Sequence, residues 1–182
     1  MENQGRALNI TLLQSPFAPK HLAGFTRLSG DVFGADASEE WLASLAWRLE
    51  SMPDVTVFIA ERDGAPVGFK AGYATALRRY YSWLGGVVPS ARRQGIARAL
   101  MREQHRWITA SRFNHVECHV EQKNRAMIEA NLKAGFVVAG FFLKDNKPYA
   151  IMQKEMPADP ADYAGSREKI ASRLVMFMPC FT

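Results

Sequence analysis

The segment Gly85-Gly86-Val87-Val88-Pro89-Ser90-Ala91-Arg92-Arg93-Gln94-Gly95-Ile96-Ala97-Arg98 holds a strand end, a tight basic loop and the start of a helix in one run. The first turn of a helix carries unpaired N–H groups and a partial positive charge, so it suits a pyrophosphate. Gly95 and Ala97 are small where backbone has to approach an anion closely, and Arg92, Arg93 and Arg98 add positive charge. Neither G-x-x-x-x-G-K-[ST] nor G-x-G-x-x-G occurs anywhere in the chain, so the common nucleotide loops are excluded.

The charge around this loop is concentrated. The chain has 23 basic and 18 acidic residues, a net charge of +5. Eight arginines lie between Arg78 and Arg112 against one acid, Glu103, so this window carries +7 and the remainder −2. A local positive field on a nearly neutral body points to an anionic small ligand. Nucleic acid ranks below it, because only Trp107 and Phe113 stand near the arginines for stacking on bases. Arg98, Arg102 and Arg106 recur every four residues, and the last two read equally well as a solvated helix stripe.

On either side, hydrophobic periodicity divides the chain into elements. Leu8 to Leu13 reads as a strand ended by Ser15-Pro16, and Phe17 to Phe33 as a mixed helical stretch weakened by Gly24 and Gly30. Asp36, with Glu39 three positions on, resembles a capping box for a helix over 38–50 that puts Trp41, Leu45 and Leu49 on one face and stops at Met52-Pro53-Asp54. Val55 to Glu61 and Pro66 to Ala74 flank the hairpin signal Arg62-Asp63-Gly64-Ala65. Tyr80 to Val88 is a third strand of this group, and Gly95 to Ala110 the helix after the basic loop. Val116 to Glu121 alternates, with Val116, Cys118 and Val120 on one face and Glu117, His119 and Glu121 on the other. Asn124 can cap a helix running to Lys133, with Gly135 placed to end it. Phe136 to Leu143 and Tyr149 to Lys154 close the chain's sheet around Lys144-Asp145-Asn146-Lys147-Pro148. This order implies an α+β fold, a mixed sheet with helices on both faces.

A chain of 182 residues with 48% apolar and 23% charged side chains builds a full core in one domain, residues 1–156. Residues 157–182 form a tail with a short helix signal, Ala161 to Leu174, whose apolar end would dock on the domain or on a second chain. Two cysteines, Cys118 and Cys180, make no disulfide framework or zinc spacing, and His21, His105 and His115 lack ligand-like spacing, so no metal is expected. No secretory signal is legible, and no apolar run approaches the roughly 20 residues a membrane span needs. The expectation is a reduced, soluble, cytoplasmic protein with no membrane partner.

The basic loop resembles that of the GNAT family of acetyl-CoA-dependent N-acetyltransferases. The family's pyrophosphate loop, Q/R-x-x-G-x-G/A, is matched by Arg92-Arg93-Gln94-Gly95-Ile96-Ala97, with Pro89 and Gly85-Gly86-Val87 at the places of its proline and strand end. The family's V-x-x-x-N-x-x-A pattern is similar to the run from Val120 through Asn124 to Ala126-Met127-Ile128. Its Y-x-K-x-G-F is matched with one change by Asn131-Leu132-Lys133-Ala134-Gly135-Phe136. The likeness covers about Val55 to Met156. It implies a twisted, mostly antiparallel sheet of about seven strands and acetyl-CoA as co-substrate. The pantetheine arm would lie along Gly85, Gly86 and Val87, where neighbouring strands splay and the paired glycines would ease a bulge. The N–H groups from Arg93 through Gln94, Gly95, Ile96 and Ala97 to Arg98 would take the pyrophosphate, and Asn124 the far side of the arm. A primary amine would attack the thioester directly, with an N–H near Val87 facing the developing oxyanion.

Two departures from the family pattern bear on the chemistry. Asn131 stands where the family has the tyrosine thought to protonate the thiolate. An amide is no proton donor, though it can hydrogen-bond sulfur, and a thiol pKa near 8.5 leaves the departing group needing little help. His119 stands five residues before Asn124, where the branch acting on ribosomal-protein N-termini has a glutamate base. A histidine with a reference pKa of about 6.5 suits that task, and Glu117 and Glu121 share its face and would tune it or act instead. All three read otherwise as the wet face of a strand. Tyr80, Tyr81 and Trp83 line an acceptor pocket or fill the core, and Cys118 packs as a small apolar residue. The expected function is acetyl transfer to a primary amine, a small molecule or a protein N-terminus or lysine. The alternative, favoured by Asn131, is a non-catalytic acyl-CoA-binding module. Homodimerisation stays open.

Overall fold

The computed structural model describes residues 7–157; the tail helix expected over 161–174 lies outside them. β1 (Leu8–Gln14) is followed by α1 (Pro19–Phe33), α2 (Glu39–Ser51), β2 (Thr56–Arg62), β3 (Ala65–Ala76), β4 (Arg79–Val87), α3 (Ile96–Thr109), β5 (His115–Glu121), α4 (Arg125–Lys133), β6 (Val137–Lys144) and β7 (Lys147–Glu155). The strands form one sheet in the order β1-β2-β3-β4-β5-β7-β6. β4 and β5 run parallel, and every other neighbouring pair is antiparallel.

Turn chemistry builds the hairpins at both ends of the sheet. Asp63 and Gly64 adopt φ of 54° and 75°, and Asp145 and Asn146 adopt 51° and 57°. Two consecutive left-handed residues match the twist of the flanking strands, and these residue types tolerate them best. The cap of α2 differs from the sequence expectation. Ser38, not Asp36, accepts from the Trp41 N–H, at 3.2 Å, while Asp36 closes a short 3-10 turn. A serine next to the first helical residue reaches the orphan N–H without a further turn of chain.

Helices cover both faces. Phe25, Leu28 and Val32 of α1 and Leu45 and Leu49 of α2 pack on Phe69, Ala71 and Tyr73 of β3. On the opposite face α3 buries Ile96, Leu100, Gln104 and Ile108, a spacing of four that leaves Arg98, Arg102 and Arg106 outward. Val116, Cys118 and Val120 of β5 pack on that same side with Met152 of β7 and with Met127 and Ile128 of α4. Among the described residues no helix is long and apolar enough to cross a membrane.

The expected bulge at Gly85-Gly86 is not there. Lys70, Phe69 and Gly68 pair regularly with Gly85, Gly86 and Val87, and the register shifts instead between the pairs Ala71–Leu84 and Tyr73–Tyr81. The extra residues are Ser82 and Trp83 of β4, opposite Gly72, where a Tyr80 ring carbon and its hydroxyl oxygen would each stand 2.5 Å from any added Cβ. Gly86 serves packing: a Cβ there would lie 2.2 Å from Val32 Cγ1. Gly86→Ala therefore pushes α1 off the sheet and lowers stability by roughly 1–3 kcal/mol, which urea melts would measure; an unchanged midpoint would show that α1 yields freely.

Candidate active site

The bulge sits where β4 leaves β5. Their parallel ladder has only three pairs, Arg79–His115, Tyr80–Val116 and Tyr81–Glu117. Beyond it β4 stays paired to β3 through Val87, and β5 stays paired to β7 through Glu121. The facing edges, Ser82 to Val87 and Cys118 to Glu121, are left without strand partners and open as a wedge. Two unpaired edges present N–H and C=O groups to an extended ligand, as at an exposed sheet edge.

The basic loop stands at the mouth of this wedge. Pro89–Ala91 forms a 3-10 turn, Arg93 is left-handed at φ 63°, and Gly95 is left-handed at 78°. Gly95 is the N-cap of α3, with nothing within 4 Å of a Cβ built there, so its requirement is conformational rather than steric. Among the described residues the N–H groups of Arg93, Gln94 and Gly95 donate to no backbone carbonyl, and those of the first turn of α3 follow in line. A left-handed turn feeding a helix N-terminus is an anion nest.

The side chains divide the work. Arg92 Nε donates to the Val87 carbonyl at 3.0 Å and its Nη2 to the Val32 carbonyl at 3.0 Å, tying the loop to β4 and to the C-terminal end of α1. Gln94 accepts from Arg62 of β2 and donates to the Ser90 carbonyl at 3.3 Å. These two hold the loop's shape. The guanidinium groups of Arg93 and Arg98, both exposed, have no carboxylate partner among the described residues and give the nest its field.

On the α1–α2 face of the wedge, His119 sits between the rings of Tyr81 and Phe142, each centroid 4.8 Å away. Its Nε2 lies 2.9 Å from Glu117 Oε1, and Glu117 Oε2 accepts from Gln153 at 2.7 Å. Burial works against the Glu117 carboxylate, but the hydrogen bonds from Gln153 and His119 outweigh it and hold its pKa below the usual range. An ionised carboxylate only accepts, so Nε2 donates to it and Nδ1 is the ring nitrogen that Glu117 leaves unengaged. Glu121 is turned away to Lys123 at 3.0 Å.

Asn124 caps α4 by accepting from the Met127 N–H at 3.2 Å, and its amide NH2 has no partner among the described residues. Asn131 is buried, and its Nδ2 donates to Cys118 Sγ at 3.4 Å. Cys118 is on the opposite face of β5 from His119, and burial pushes its thiol up to about 11. Of the three aromatics, Tyr80 is fully buried and bonds Thr56, whereas Tyr81 and Trp83 line the His119 face.

The family model for the acetyltransferase (GNAT) family matches residues 22–136. The chain belongs to the GNAT acetyltransferase family. The match begins in α1, well before the motif-bearing half, because α1 and α2 are part of the same domain although they carry no legible motif. No curated protein matches the chain. Among solved structures it is similar to the ribosomal-protein-S18-alanine N-acetyltransferase from Escherichia coli, at 16% identity and TM-score 0.66, covering 82% of this chain and 96% of that one. The spermidine/spermine N-acetyltransferase from Vibrio cholerae follows the same fold at 15% identity and TM-score 0.62, covering 81% and 92%. A nourseothricin acetyltransferase is 25% identical over 58% of this chain and 67% of its own, with TM-score 0.52.

Sequence reasoning missed three side chains of this candidate site in the GNAT chain. Gln153 reaches Glu117 through the β5–β7 pairing, which no local motif announces. Lys70 of β3 pairs with Gly85, and a Cβ on Gly85 would stand 3.5 Å from its Cγ; burial lowers its pKa, and the Cys118 sulfur partly counters that. Arg48 of α2 stacks over Trp83, with its guanidinium carbon 4.9 Å from the ring centroid.

His105 of α3 is a structural histidine. Burial, with Lys154 and Lys70 nearby, lowers its pKa to about 4, and its Nε2 is buried with no partner among the described residues. The folded state thus refuses a proton that the unfolded chain accepts near pH 6.5. Stability is complete above that pH and falls between 6.5 and 4, by on the order of 2 kcal/mol. His105→Gln should flatten this acid limb in melts at pH 7, 5.5 and 4.5; an unchanged limb would place the loss at other groups.

Proposed function

We propose that this GNAT protein transfers an acetyl group from acetyl-CoA to a primary amine by direct attack on the thioester. The observation that carries the reading is the convergence on one wedge of an anion nest at its mouth and an oriented histidine base beside it. Acetyl-CoA supplies the acetyl group as an activated thioester. The N–H groups from Arg93 to Arg98 hold its pyrophosphate, with the Arg93 and Arg98 side chains adding charge. The free edges at Gly85, Gly86 and Val87 and the Asn124 amide take the pantetheine arm.

Glu117, fixed by Gln153, orients His119 so that Nδ1 receives the proton of the attacking amine. Glu121, paired with Lys123, has its charge offset and leaves the proton transfer to His119. A backbone N–H near Val87 faces the oxyanion. Asn131 serves by position: its amide, already donating to sulfur at 3.4 Å, is a hydrogen-bond donor for sulfur rather than an acid. Nourseothricin acetyltransferase, more similar in sequence than the other two neighbours, favours a small-molecule amine over a protein N-terminus.

The test is thiol release from acetyl-CoA with a panel of primary amines, followed with a thiol-reactive dye. Amine-dependent release is the expected result. Tight acetyl-CoA binding with no release to any amine, small or peptidic, would favour the non-catalytic acyl-CoA-binding module instead.

A further inference from the structure

Arg48 is a charge without a counter-charge among the described residues. It projects from α2 onto the same face as His119, half-buried, with its guanidinium on the Trp83 ring. Among the described residues its side chain makes one hydrogen bond, from Nη1 to the neutral Tyr73 hydroxyl at 3.3 Å. Nε is buried with no partner, and no carboxylate pairs with the group among the described residues. Holding a guanidinium partly out of water with no anion beside it is unfavourable, and an anion brought to it recovers that loss.

What links Arg48 to the base is a continuous row of rings. Trp83 and Tyr73 have centroids 5.9 Å apart, Tyr73 and Tyr81 5.5 Å, and Tyr81 and His119 4.8 Å. The row has a cation at one end and the Glu117–His119 pair at the other, with Glu121 beyond. Tyr73 is buried beneath the row, and an acceptor lying over its half-buried rings, Tyr81 and Trp83, would have its amine at His119 and an anionic group at Arg48. A guanidinium carries a planar fork of N–H donors, the geometry that matches a carboxylate.

We infer that the amine acceptor carries a carboxylate that docks on Arg48, so that the substrate class is an amino acid or a compound built like one. The inference rests on the acetyl-transfer reading above and extends it to the acceptor.

The test compares β-alanine, 4-aminobutyrate, 5-aminovalerate and lysine with their decarboxylated amines, as kcat/KM at saturating acetyl-CoA. The best carboxylate should exceed its matched amine roughly 10- to 100-fold, mainly through KM. Arg48→Gln should erase that preference, and Arg48→Lys should keep part of it. Equal use of the two series by the native protein, or an undiminished preference in Arg48→Gln, overturns the inference while leaving acetyl transfer intact.

A binding arm decides the matter if no amine is acetylated, the outcome that would defeat the transfer reading. The N-acetyl derivatives of the same carboxylates should raise the melting temperature of the native protein and of Arg48→Lys, but not of Arg48→Gln. N-acetyl alkylamines should do less. Equal stabilisation by both series, or none by either, overturns the anion site on its own.

Discussion

His119→Ala lowers kcat for acetyl transfer roughly 10²- to 10⁴-fold, the range in which a positioned general base acts. The geometry makes the loss specific. The imidazole is held at one edge by Glu117 Oε1 at 2.9 Å and on its faces by Tyr81 and Phe142, so Nδ1 has one direction in which to take a proton. Removing the ring should leave the KM for acetyl-CoA unchanged, because the nest and the β4 edge are formed by other elements. Added imidazole should restore part of the rate, which would not follow if the ring only supported the fold. Glu117→Gln, which keeps the size but loses the charge and one of the two acceptor oxygens, should fall in between. Activity within twofold of native in His119→Ala would take the residue out of the role.

Acetyl-CoA at a hundred times its dissociation constant should add about 2.7 kcal/mol to stability, a rise in melting temperature of roughly 5–10 °C for a chain of this size. Gly95→Glu should abolish the rise. A Cβ at Gly95 meets nothing within 4 Å, so the variant introduces no clash at Cβ. It loses about 1–2 kcal/mol for a side chain at φ 78°, partly offset by a carboxylate at a helix N-terminus. That same carboxylate occupies the nest and repels the pyrophosphate. A native protein that gains nothing from millimolar acetyl-CoA would show that the nest is not a pyrophosphate site, and the transfer reading would go with it.

The hairpins, the strand–loop–helix of the nest and the cap at Asn124 were all legible because each is decided by neighbours in sequence. Left-handed turns demand particular residues, and a helix start demands a small residue and free N–H groups. Misplaced features have the same explanation in reverse. Glycines at 85 and 86 looked like a bulge, yet Gly86 is small because Val32 of α1 presses on it. The bulge fell at Ser82-Trp83, where Gly72 across the ladder makes room for Tyr80. Arg92 and Gln94 read as ligand contacts by position, and the fold employs their side chains on Val87, Val32, Ser90 and Arg62 to hold the loop.

By itself the sequence determined the family, the order of elements, the nest from Arg92 to Arg98 and the face of β5 that carries Glu117, His119 and Glu121. These are local or periodic properties, written by propensity, turn chemistry and alternation. Only the tertiary structure decided that β4 parts from β5 after three pairs, that Gln153 fixes Glu117, that Asn131 bonds Cys118, and that Arg48 shares a row of rings with His119. Each of these joins residues far apart in the chain, and such contacts are selected by packing of whole faces against one another, which no stretch of sequence specifies alone.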